Sequence, residues 1–566
     1  MNGFECKTHT ALADAGQSSL AHAHATGLNF SARAQSHGLH ESLNFHSHSS
    51  HLAVINLETD FDPSNDVRSL AVADSNQLEA DSLGLNQLTW VAQNGAISLT
   101  ADSLAQPTRQ WLDFATPDST IAPLASAPQA IQPTIQLVGG TLGADTFTVL
   151  PGFQYSVFAG NGNVDFGKGG RDVIDLSGVL STSVTFNLAT ATRGGVIFNP
   201  GNGAQVFDAI SFSNGSQILF EGIDQVRFAD GILNLAVMPN DPGFSQQWNL
   251  QMMDVQSAWR FTTGSSNILI GIEDSGLGVD LSGKLHPDLR AANTYVYGNN
   301  YQDNYLDGTT SHGTDVQGII AAASNNGIGM SGINWRSDVL HVDVFGPDRQ
   351  TWSLARASQT MINTASQTKQ NLVINMSLGF PGSAGRTDLD PAFEQVVASN
   401  PNTLFVVASG NENIYGISYP SSLAQKYNNV IAVGASWGTQ DTNGVPKAPG
   451  TRIAYPGWWG SNYGNGLTVM GPSEVIATNA TLSTSGVQFG YDLKFNGTSA
   501  ATPNVTGVAS LIWSANPNLT AGQVKGILSQ TSYDLGAQGY DQVYGNGFVN
   551  ADSAVRRAMA IGAGAA

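Results

Sequence analysis

The chain has 566 residues, 41% of them hydrophobic and only 12% charged, with 63 glycines. That is too long for one core and too apolar for a disordered chain, so two to four globular domains with many tight turns are expected. The formal net charge of -20 argues against nucleic acid as a partner, since a polyanion binder needs a basic face.

The acidic excess suits a soluble surface and, equally, carboxylate-built calcium sites. Cys6 is the only cysteine, so no disulfide closes within the chain, which excludes a stapled scaffold but not secretion. No apolar run reaches the roughly 18 residues of a membrane span. The opening residues MNGFECKTHTALADAG lack the apolar core of a secretory signal. Either the chain stays in the cytoplasm, or it reaches the periplasm or exterior by a route that reads no N-terminal signal; the second is favoured.

Residues 1–135 read as a polar N-terminal region. Eight of the 11 histidines (His9, His22, His24, His37, His40, His46, His48 and His51) fall here among Ala, Ser and Asn. Their irregular spacing matches no zinc pattern, so a flexible tail is expected. The stretch PDSTIAPLASAPQAIQPTI (117–135) reads as a linker.

Residues 136–238 read as a β-rich domain. GGTLGADTFTV (139–149) and GNGNVDFGKGGRDVIDLSG (160–178) come close to the repeat GGxGxDxUx, in which Gly makes the turn, Asp oxygens hold calcium and the apolar position packs inward. The segment resembles the β-roll of RTX proteins. That resemblance implies calcium at Asp165 and Asp172, while a plain β-sandwich with glycine turns fits the same strands.

From residue 239 onward, short continuous apolar runs alternate with helical stretches. The runs are NILIGIED (267–274), VLHVDVF (339–345), NLVINMSLG (371–379), TLFVVASG (403–410) and NVIAVGA (429–435). Continuous rather than alternating apolar strands are buried on both faces, which predicts a parallel sheet with crossover helices, an α/β fold. Chemistry in such sheets collects at the carboxyl ends of the strands.

Three candidates sit there. Asp274 ends the first run, His312 opens a helix in SHGTDVQGIIAA, and Ser499 lies at the start of an apolar helix in FNGTSAATPNVTGVASLI. A helix start stabilises a developing anion. Each alone is weak, but in this chain order they resemble the signatures of the subtilase family, subtilisin-like serine peptidases of three-layer fold. The resemblance covers roughly residues 241–555, and the kexin-like and bacterial branches are nearest. It implies a serine endopeptidase acting on polypeptides, with Ser499 as nucleophile, His312 as base and Asp274 orienting the imidazole. It further implies Asn411, in VVASGNENI, as oxyanion donor. Ser377, Leu378 and Gly379 would pair with the substrate backbone, and Ala408, Ser409, Gly410 and Glu412 would form the pocket for the residue before the cut. Structural calcium is a family expectation too, and a maturation cut is expected near 235–243, where the peptidase-like sequence begins at an exposed boundary between folded units. Pro381-Gly382-Ser383-Ala384 replaces the acidic residues that a kexin-like basic specificity needs. A catalytically silent binding fold and an adhesin built on 136–238 stand as alternatives.

Overall fold

The computed structural model describes residues 134–566, apart from 281, 298–310, 346–352, 484–485 and 566, together with the strand segments 88–92, 95–99 and 110–111. The histidine tract, Cys6 and the linker up to residue 133 otherwise lie outside the described residues. Everything below belongs to the compact unit Ser75–Ala566.

The C-terminal half is built on a seven-stranded parallel sheet. In chain order its strands are β1 (Ile268–Asp274), β2 (Thr294–Tyr297), β3 (Asp338–Asp343), β4 (Asn371–Met376), β5 (Leu404–Ala408), β6 (Val430–Ser436) and β7 (Val469–Pro472), ordered in space β2-β3-β1-β4-β5-β6-β7. The continuous apolar runs are explained by burial on both faces. Ile268, Ile270 and Ile272 of β1 enter one core, while Leu269 enters the other. Helices α1 (His312–Ala321) and α4 (Thr498–Ala515) cover the first face; α2 (Leu354–Thr368) and α3 (Pro391–Ser399) cover the second. These three layers bear out the expected α/β architecture. An antiparallel hairpin, β8 (Val475–Ser483) and β9 (Gly486–Phe495), packs on α1 and leads into α4. Helices α5 (Ala521–Thr531) and α6 (Ala551–Gly562) close the chain.

Upstream, strands alternate between two facing sheets. Ile135–Gly139, Tyr155–Ala159 and Gln217–Glu221 pair in parallel in one; Thr146–Phe147, Val173–Leu176 and Gln225–Phe228 do so in the other. Phe158, Ile174, Phe186, Phe220 and Val226 fill the space between. Strand structure also begins earlier than expected, since Leu88–Ala92 pairs antiparallel with Gly231–Asn234. Turn composition drew attention to 136–238, but the partner strand lies in sequence that reads as polar.

The two halves share one hydrophobic core: Leu142, Val164, Phe166, Ile197 and Val206 pack with the residues beneath the parallel sheet. Polar contacts clamp the same seam. Arg556 on α6 and Arg260 both bond Asp208 at 2.8 Å, and the Gly222 N–H donates to Asp552 at 2.9 Å. Burial alone would raise the Asp208 carboxyl, but the two guanidiniums hold it down at about 2. Removing either partner would strand a buried charge.

Candidate active site

Asp274, His312 and Ser499 converge at the carboxyl edge of the sheet. Asp274 is the last residue of β1 and is fully buried; its Oδ1 accepts from His312 Nδ1 at 2.7 Å and from the Ser275 N–H at 2.8 Å. His312 is the first residue of α1, with 30% of its side chain exposed, and the edge of Phe495 packs on it with centroids 5.4 Å apart. Gly313 lets the helix start come so close. A Cβ there would stand 2.2 Å from the Gly276 carbonyl and 3.0 Å from the ring of His341. His341 is buried beside this pair, and burial lowers it to about 4 despite the pull of Asp274, so it is neutral near pH 7.

Ser499 is the second residue of α4. Its Oγ donates to the Ser377 carbonyl at 3.1 Å, and Ser377 Oγ donates back to the Ser499 carbonyl at 2.9 Å. Ser377, Leu378 and Gly379 follow directly on β4, with Gly379 exposed. Asn375 fixes this end by donating to Ser377 Oγ while accepting from Thr506 on α4.

Asn411 is exposed, and its Oδ1 accepts from the Thr498 N–H at 2.8 Å and the Thr498 hydroxyl at 2.9 Å. That leaves the Nδ2 donors facing the cleft. Gly497, at φ 86°, keeps the space clear: a Cβ there would sit 3.2 Å from Asn411 Nδ2 and 3.6 Å from the Ser499 N–H. Two donors therefore flank one small opening, the arrangement that receives a developing oxyanion. Neither Thr498 nor Gly497 stood out in the sequence; the signal was the FNGTS string, where a glycine precedes the hydroxyl pair.

Ala408 ends β5 and Ser409 and Gly410 follow it, beside the end of β4 that leads into Ser377–Gly379. Glu412 is folded back, its Oε2 accepting from Asn462 at 2.6 Å and Ser418 at 3.4 Å. Gly410, at φ 107°, is wedged against the same Asn462 and Ser418. Nothing in the sequence marks Asn462, 50 residues away, or Ser418, 6 residues along the chain, as the partners of Glu412.

The structure does not bring Asp165 and Asp172 together as a donor set. Asp165 pairs with Lys168 at 3.2 Å on the surface. Asp172 is buried and accepts from the Asp145 N–H at 2.7 Å; burial, then the neighbouring Asp224, push its carboxyl up to about 10. Among the described residues no group of three or more His, Cys, Asp or Glu is placed to hold a metal ion, and no helix among them is long and apolar enough to cross a membrane.

The three-layer α/β sheet thus carries an aspartate, a histidine and a serine at its carboxyl edge, the residue types a serine hydrolase uses. The profile of the subtilase family (Peptidase S8) matches residues 265–547. Subtilisin BL of Lederbergia lenta is 31% identical over 318 residues, 55% of this chain and 99% of that protein. A subtilisin of Bacillus pumilus is 33% identical over 294 residues, 51% of this chain and 92% of that one. An extracellular protease of Xanthomonas campestris is 30% identical over 374 residues, 58% of this chain and 59% of that protein. Among solved structures, a protease from Pseudoalteromonas arctica is similar at 26% identity with a TM-score of 0.43, covering 56% of this chain and 99% of that one. The chain belongs to the subtilase family and is a serine endopeptidase.

Proposed function

We propose that Ser499 is the nucleophile, His312 the general base and acid, Asp274 its orienting partner, and Asn411 with the Ser499 N–H the oxyanion donors. The observation that carries this reading is the 2.7 Å bond between Asp274 and His312 next to a serine at a helix start. Ser499 Oγ attacks the scissile carbonyl carbon as His312 Nε2 takes its proton. The imidazolium then protonates the leaving amine, and water hydrolyses the acyl-enzyme by the same proton route. In the resting site the hydroxyl points at Ser377; such bonds rearrange once substrate is bound. A fluorophosphonate should label wild type on Ser499, and Ser499→Ala should lose both label and casein cleavage. Cleavage retained by that variant would overturn the assignment.

The substrate is unfolded or looped polypeptide, its acyl side added as a strand to Ser377, Leu378 and Gly379. The wall Ala408, Ser409 and Gly410 with Glu412 favours apolar or medium-sized residues before the cut: Glu412 is engaged by Asn462, and no acid lies in 379–385. A peptide library dominated by Arg or Lys at that position would refute this and would restore the kexin-like branch. The bacterial branch is the nearer one, action outside the cytoplasm fits it, and residues 136–238 form a β-roll-like accessory domain. Calcium as a stabiliser now rests on the family alone. A chelator that left the melting curve unmoved would remove it.

A further inference from the structure

A second histidine lies beneath the catalytic pair. His341 on β3 is fully buried. In the parallel register Ile272 of β1 stands opposite His341, and Asp274 opposite Asp343. Asp274 and His341 are therefore neighbours on one face of the sheet. The Cε1–Nε2 edge of the ring lies against Gly313: both atoms are 3.0 Å from where a Cβ on that glycine would stand.

The hydrogen bonds around the ring decide which nitrogen holds its proton. Thr294 Oγ1 donates to the Arg290 carbonyl at 2.9 Å and so accepts from Gln317 Nε2, also at 2.9 Å. The amide oxygen of Gln317, on α1 one turn past Gly313, is thereby turned to His341 Nδ1 at 3.3 Å. An amide oxygen only accepts, so Nδ1 carries the proton. Nε2 has no hydrogen-bond partner and is the bare nitrogen of a ring that burial keeps neutral. Asp274 Oδ2 is equally buried and equally without a partner. A second donor within its reach would compete with His312 for the carboxylate, and this imidazole offers none. The other charged groups nearby are engaged: Asp343 accepts from the Phe345 N–H, Asp315 from Asn479, and Arg290 bonds the carbonyls of Trp335 and Ser337.

We infer that Gln317 and His341 are positioning residues of the catalytic pair: Gln317 locks the imidazole in the tautomer that cannot donate to Asp274, which keeps that carboxylate for His312. The inference rests on the active-site reading above and adds to it two residues that touch neither substrate nor nucleophile.

Gln317→Glu reverses the lock. A carboxylate at this position either draws His341 into the charged form or, sharing its own proton with Nδ1, sends the ring proton to Nε2. Both give Asp274 a second donor, which weakens its hold on the His312 imidazolium, so the base should titrate lower. The acid limb of kcat/KM on a quenched peptide should move down by about one pH unit, with KM within about twofold of wild type. The low-field proton resonance of the Asp274–His312 bond should move upfield. His341→Leu removes a ring that gives Asp274 no donor, so it should leave the acid limb in place. Gln317→Glu combined with His341→Leu should show no downward shift, since a carboxylate alone can only raise the base. An acid limb unmoved in folded Gln317→Glu, or a downward shift that persists in the double variant, overturns the inference. If Gln317→Glu does not fold, Gln317→Met frees the ring to turn an Nε2–H to Asp274 and carries the same expectation. Absence of cleavage and of Ser499 labelling in wild type would instead bring down the active-site reading on which it rests.

Discussion

His312 Nδ1 and Asp274 Oδ1 lie 2.7 Å apart although 38 residues separate them, and the contact exists because Gly313 admits the Gly276 carbonyl. With Nδ1–H committed to a buried carboxylate, Nε2 is left as the basic nitrogen. Asp274→Asn should therefore fold normally yet lose about 10⁴-fold in kcat, since an amide can hold the wrong tautomer. Equal melting temperatures with kcat reduced less than tenfold would show that the pair does not orient the base.

The opening kept by Gly497 can be tested from both sides. Asn411→Ala should lower kcat by 10²–10³-fold, about 3–4 kcal/mol, a magnitude known from subtilisin itself, with KM nearly unchanged. Gly497→Ala should do similar damage by filling the space. A change confined to KM in Asn411→Ala would make that residue a substrate contact instead.

Glu273, beside Asp274, faces the other side of the sheet and accepts from the Ser358 hydroxyl. Burial pushes its carboxyl up to about 8. Between roughly 4.5 and 8 the folded state holds a proton that the unfolded state releases, so folding stability falls as pH rises through that window and levels off above it. Glu273→Gln should melt like wild type near pH 4.5 and progressively higher than wild type toward pH 8. Parallel melting curves across that range would show that Glu273 is not held neutral.

The seam between the halves bears on processing. Met238 is 57% exposed and open to a protease, but Asp241 is buried, accepting from the N–H groups of Asn325 and Asn326 and, more tightly, from the Ser331 hydroxyl. A chain cut between Met238 and Asn240 should elute as one particle at neutral pH, because the core and the Asp208–Arg556 pair cross the seam. Separation of the two pieces on size exclusion without denaturant would instead favour a released prosegment.

Much of the catalytic edge was legible because its constraints are local. A strand ending in Asp274, a helix opening at His312 and the FNGTS string each place a group by short-range geometry. The parallel sheet was legible because Ile268, Ile270 and Ile272 are matched by an equally apolar Leu269. What could not be read depends on distant chain. Asn462, 50 residues away, secures Glu412 from another loop, and Glu474 acquires its environment only where Tyr455 meets it. Asp172 reads as a ligand because glycine turns surround it; in the fold it is buried and its N–H donates to Asp224, 52 residues away.

The reciprocal bonds between Ser377 and Ser499 join the proposed substrate rail to the proposed nucleophile. Ser377 Oγ holds the Ser499 carbonyl at 2.9 Å, so a shift of this strand end is passed to Ser499. Substitutions made at the rail to retune which peptides are accepted will also reposition the nucleophile. With those proposed roles, binding and turnover are mechanically linked at this edge.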